Sequence, residues 1–132
     1  MTQEDKMLLV KDLSSRLPYA VHVQHISGVS SILHNISIHH KYDGNDNIYD
    51  AVCYIDFLGD SIAIEHFKPY LFPLSSMTDN QKKEYQYITE RWMYVSSYSI
   101  SDSIDWLNKN HFDYHNLIDK NLAIDATGLN IY

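Results

Sequence analysis

Glycine, proline and cysteine are scarce in this chain, with four, three and one among 132 residues. The glycines, at positions 28, 44, 59 and 128, form neither a phosphate-cradling loop nor a dinucleotide fingerprint. No Gly-x-Ser-x-Gly nucleophile elbow occurs either. Cys53 stands alone, so no intrachain disulfide can form, which fits a reducing compartment. Basic side chains are also few. Ten Lys and Arg against seventeen Asp and Glu give a net charge of -7, and only Lys82 and Lys83 are adjacent. Cations scattered singly over an acidic chain argue against nucleic acid or an anionic membrane surface as partner. No window approaches 18 consecutive apolar residues, so no membrane span is expected. The opening residues, Met1 to Lys6, are polar and acidic rather than signal-like, which makes the cytoplasm the expected location.

What is present suffices for a core. Hydrophobic residues make up 45% and charged residues 20%, a balance that excludes wholesale disorder. Without repeats, low-complexity tracts or a Pro/Gly-rich linker, residues 1–132 read as a single domain.

Periodicity assigns the elements. From Glu4 to Arg16, Met7, Val10, Leu13 and Leu17 recur at helical spacing, with Leu9 beside them. Thr2 is the expected N-cap and Pro18 the stop. Alternation then takes over. Val21, Val23 and His25 oppose His22, Gln24 and Ile26, and Ile32, His34, Ile36 and Ile38 oppose Leu33, Asn35, Ser37 and His39. Lys41 to Asp50 reads as a polar turn, Ala51 to Leu58 as a third strand and Ile62 to Phe67 as a fourth. Thr78 and Gln81 match a capping box opening a helix to about Tyr94, with Tyr85, Ile88, Trp92 and Val95 as its stripe. A further helix starts at Ser101 or Asp102, and a short one runs from Tyr114 to Lys120, capped by Asn121. The expected fold is α+β: a four-stranded antiparallel meander, an N-terminal helix, and two to three C-terminal helices packed on one sheet face. Its polar outer face would carry His22, Gln24, Asn35, Ser37, His39, Tyr54 and Asp56.

Between sheet and late helix lies Lys68-Pro69-Tyr70-Leu71-Phe72-Pro73-Leu74-Ser75-Ser76-Met77-Thr78. Its two prolines suggest an extended crossover rather than a central strand. This stretch, with Trp106 to Tyr114, Leu117 to Ala123 and the Arg16-Leu17-Pro18-Tyr19 end of the first helix, resembles a group of small proteins encoded in gut Bacteroidetes genomes and their prophages and mobile elements. The resemblance covers about half the chain. It implies an intracellular, accessory setting and transfers no catalytic residue.

Chemistry-bearing patterns are thin. Of the close histidine pairs, His22/His25 and His39/His40 sit on strands, where such spacings face opposite sides. His111/His115 straddles a break at Phe112-Asp113. The loop from Asp43 fails the EF-hand pattern, with Ile48 at loop position 6 and Tyr54 at position 12. Neither a metal site nor a cofactor is expected. Eleven tyrosines are the stronger signal, because Tyr offers large contact area at low entropy cost. Tyr87, Tyr94 and Tyr98 would lie beside the core stripe of the late helix, either as the margin of a buried face or as an aromatic patch. The leading expectation is a non-enzymatic interaction protein, binding a protein partner or itself. The alternative is a small enzyme or ligand-binding domain using His22, His39 and Asp56 on the polar sheet face.

Overall fold

The structure, a computed structural model, describes residues 1–46, 48–90 and 99–132. The expected late-helix residues Trp92, Tyr94 and Val95, and Tyr98 after them, lie outside those residues. The chain divides into two compact units, Met1–Pro69 and Tyr70–Tyr132.

In the first unit, helix α1 spans Gln3–Arg16 and starts as its sequence predicts. The Thr2 hydroxyl accepts from the Asp5 amide at 3.0 Å while the Asp5 carboxylate accepts from the Thr2 amide, closing a capping box. Pro18 ends the helix in a 3-10 turn, Leu17–Tyr19. Leu9, Val10 and Leu13 are buried, whereas Met7 is exposed; Asp12 and Arg16 occupy the inward face instead. Strands β1 (His22–His25) and β2 (Ser30–Ile32) form an antiparallel hairpin, and β1 also pairs antiparallel with the first residues of β6 (Phe67–Pro73).

The expected four-stranded meander is not what forms. The alternating stretch Ile32 to Ile38 is split: β2 stops at Ile32, and β3 (Ser37–Tyr42) begins a different sheet with β4 (Ile48–Phe57) and β5 (Asp60–Ala63). Those three strands are an antiparallel meander in the order β3-β4-β5. Period-two patterning specifies faces, not partners, so a break inside one alternating run leaves no trace in it. Lys41 and Tyr42, assigned to a turn, continue β3. The β4–β5 loop is the two residues Leu58 and Gly59, with φ of 51° and 90°. Two positive φ values define the turn whose twist matches hairpin strands, and glycine supplies one without strain. Cys53, Ile55 and Phe57 are buried together, as their alternation predicts.

The Pro-rich crossover is itself a strand, β6, with antiparallel partners at its start and parallel ones after Pro69. Pro69, which cannot donate, is where pairing with β1 ends. In the second unit Tyr70 and Leu71 pair in parallel with β8 (Ile124–Asp125), and Phe72 and Pro73 with β7 (Phe112–Asp113). Helix α2 spans Asp79–Glu90 and has the expected capping box: the Gln81 amide donates to the Thr78 hydroxyl at 3.1 Å, and the Gln81 side chain accepts from the Thr78 amide at 2.9 Å. Helix α3 spans Ser99–Lys109. Trp106, Leu107 and Phe112 form a core cluster against which Tyr85, Ile88 and Met77 pack. Residues 114–120, expected as a third helix, make only a single turn, with amides of Leu117 and Ile118 donating to the Asp113 carboxylate at 2.9 Å each. It closes as predicted on a left-handed Asn121, φ 59°. The Leu122 amide then reaches the Leu117 carbonyl and the Asn121 amide the Ile118 carbonyl, the pattern of a Schellman cap.

Candidate functional site

The sequence-derived site residues are dispersed. Tyr87 lies on α2 and is 67% exposed, while Tyr94 and Tyr98 lie outside the described residues. His22 is half-buried on β1 opposite Ile32. His39 and Asp56 share the outer face of the other sheet, since the register sets Ser37 against Tyr54 and alternate residues point alike. The His39 ring lies 5.7 Å from that of Tyr54, tilted by 71°. Asp56 is engaged elsewhere: it accepts from the Asn35 side chain at 2.6 Å, and its amide donates back to Asn35 at 3.3 Å. That reciprocal pair ties β4 to the segment leading into β3. His22, His39 and Asp56 therefore belong to two sheets and do not assemble one constellation. Among the described residues no three His, Cys, Asp or Glu side chains are placed to hold a metal ion.

Two depressions flank the β6–β7 ladder in the second unit. The register pairs Phe72 with Phe112 and Pro73 with Asp113, so the two pairs point to opposite faces. On the Pro73 side a cavity of about 350 Å³ is lined by Asp113, Asp119 and Asp125 with Ser75 and Asn116. Both Asp113 oxygens accept backbone amides, which commits that carboxylate to the fold. Asp125 is held below the ordinary carboxylate value of 3.8 by hydrogen bonds from the Thr127 hydroxyl and amide, against a small opposing effect of burial. On the Phe72 side a cavity of about 250 Å³ has Thr78 and Gln81 at its rim, already occupied by the helix cap.

The most open feature of the first unit is the outer edge of β3. All six residues, Ser37 to Tyr42, are exposed, and among the described residues the strand pairs only with β4. Ile38 opposes Cys53, which is fully buried, so Ile38, His40 and Tyr42 continue the core-facing side of the sheet. Yet Ile38 is 42% and Tyr42 56% exposed. The register slips between Lys41 and Tyr42, which oppose Asp50 and Ile48; the extra residue, Tyr49, is on β4, leaving β3 regular. β3 contains no proline and no acid, and Lys41 is its single edge-guarding charge. The other edge strand, β5, has four residues and begins with Asp60. One sequence signal could have pointed here. Residues 17–40 contain no Asp, Glu, Lys or Arg, yet hold five of the eight histidines.

No family model, curated protein or solved structure matches the chain.

Proposed function

We propose that this chain is a small non-enzymatic protein-interaction module, acting in the cytoplasm as an accessory factor, whose docking element is the outer edge of β3. One observation carries the reading: a six-residue edge strand with every residue exposed that, among the described residues, has a ladder partner on one side alone. Such an edge accepts an extended segment by strand addition, with backbone hydrogen bonds giving affinity and alternate side chains giving selectivity. The charge-free stretch leading into β3 favours the same reading, because it lets a polypeptide approach an otherwise acidic chain without repulsion. The resemblance to small proteins of gut Bacteroidetes and their mobile elements fits an accessory role of this kind.

The test uses neighbouring prolines. Successive residues of an edge strand direct their N–H groups alternately inward and outward, so of His39→Pro and His40→Pro one removes a ladder donor and the other an edge donor. The edge variant is expected to melt within about 3 °C of the parent. It is also expected to lose the polypeptides, untagged copies of this chain included, that the tagged parent retrieves from its native host. Retrieval of the same set by a folded edge variant would refute the proposal.

A further inference from the structure

We infer that the occupant of the β3 edge is a second copy of this chain, paired antiparallel through β3 in a register centred on His40; this rests on the strand-addition reading above. A two-fold axis perpendicular to the sheet is what joins two identical edges into one continuous antiparallel sheet. Such an axis keeps each side chain on its own face. Directly opposed residues must then share a face, so the axis lies midway between the two copies of one residue. The choice lies between the two central residues of β3, His39 and His40.

Centring on His40 sets Ile38 against Tyr42 of the second copy, twice by symmetry. The two exposed apolar side chains of the strand then cover each other in β-branched/aromatic pairs. On the opposite face His39 meets Lys41 of the second copy. Centring on His39 would instead set Ile38 against His40, Ser37 against Lys41 and Tyr42 against Ile36, which precedes β3, so no apolar pair would form within the paired strands themselves. β3 is thus self-complementary about His40, as an isologous contact requires. The local charge permits it as well: Lys41 is the strand's one formal charge, and the symmetry never opposes it to itself.

Light scattering after size exclusion, on purified protein at about 100 µM, reads the outcome directly. The parent is expected to be dimeric. Ile38→Glu should be monomeric with an unchanged circular dichroism spectrum, and Tyr42→Glu breaks the same ladder if Ile38→Glu perturbs folding. Opposed antiparallel residues stand about 4.5–5.5 Å apart at Cα, within disulfide reach. His40→Cys should therefore form a covalent dimer under oxidation and His39→Cys should not, with the buried native Cys53 inert. A folded monomer, a dimer surviving both Glu variants, or faster crosslinking at position 39 than at 40 would overturn the inference. Monomeric purified protein alongside proline-sensitive capture of other polypeptides would overturn the second copy and leave the edge reading standing.

Discussion

Asp12 and Arg16 are the least expected residues of the first unit. Their side chains are both 0% exposed, and the guanidinium donates Nε to Oδ2 at 2.7 Å and Nη2 to Oδ1 at 3.0 Å. The i,i+4 spacing is plain in the sequence, but surface helices carry the same spacing as solvated pairs. Burial changes the energetics, because both ions lose hydration that their mutual contact must help offset. Asp12→Asn or Arg16→Met should each cost about 3–5 kcal/mol in urea unfolding, by leaving one charge buried without its counter-ion. The double replacement Asp12→Leu/Arg16→Met should recover most of that loss. Asp125 shows the opposite regime, an exposed carboxylate tuned by neighbours. Its folded pKa lies below 3.8, so its stabilising contribution is present above that pH and is lost as pH falls through the lowered value. Carboxyl NMR should find Asp125 titrating below 3.8, and Thr127→Val should move the titration upward by removing the hydroxyl donor.

At the scale of elements, the sequence was most reliable where a local motif closes on itself. The Thr2 N-cap, the Thr78 capping box, the Pro18 stop and the left-handed Asn121 follow from residues within a few positions of one another. It was least reliable where a distant partner decides. The Lys68–Pro73 stretch became a strand because β1, β7 and β8 supply ladder partners around its prolines. Residues 114–120 were expected as a helix, yet Asp113 takes the Leu117 and Ile118 amides and turns the chain within a single turn. Asp113→Ala should therefore lower stability by about 2 kcal/mol, from amides left without acceptors at a largely buried position. Asp113→Asn, which keeps one carbonyl acceptor, should lose less. Urea titration of both variants checks the order.

For the molecule as a whole, composition and periodicity determined the α+β class, the buried face of β4, and the want of any helix long and apolar enough among the described residues to cross a membrane. The candidate edge was only half legible. A 24-residue stretch without formal charge can be read directly from positions 17–40, but the same stretch could equally have been buried between other strands. Tertiary structure decided that it splits into β2 and β3, that β3 lies at the rim of its sheet, and that Ile38 and Tyr42 stay accessible there. It also decided that His22, His39 and Asp56 do not converge. The physical reason is common to all three: side-chain alternation and capping are set by torsions of near neighbours, whereas strand partners, strand order and the fate of a buried ion pair depend on contacts between residues far apart in the chain.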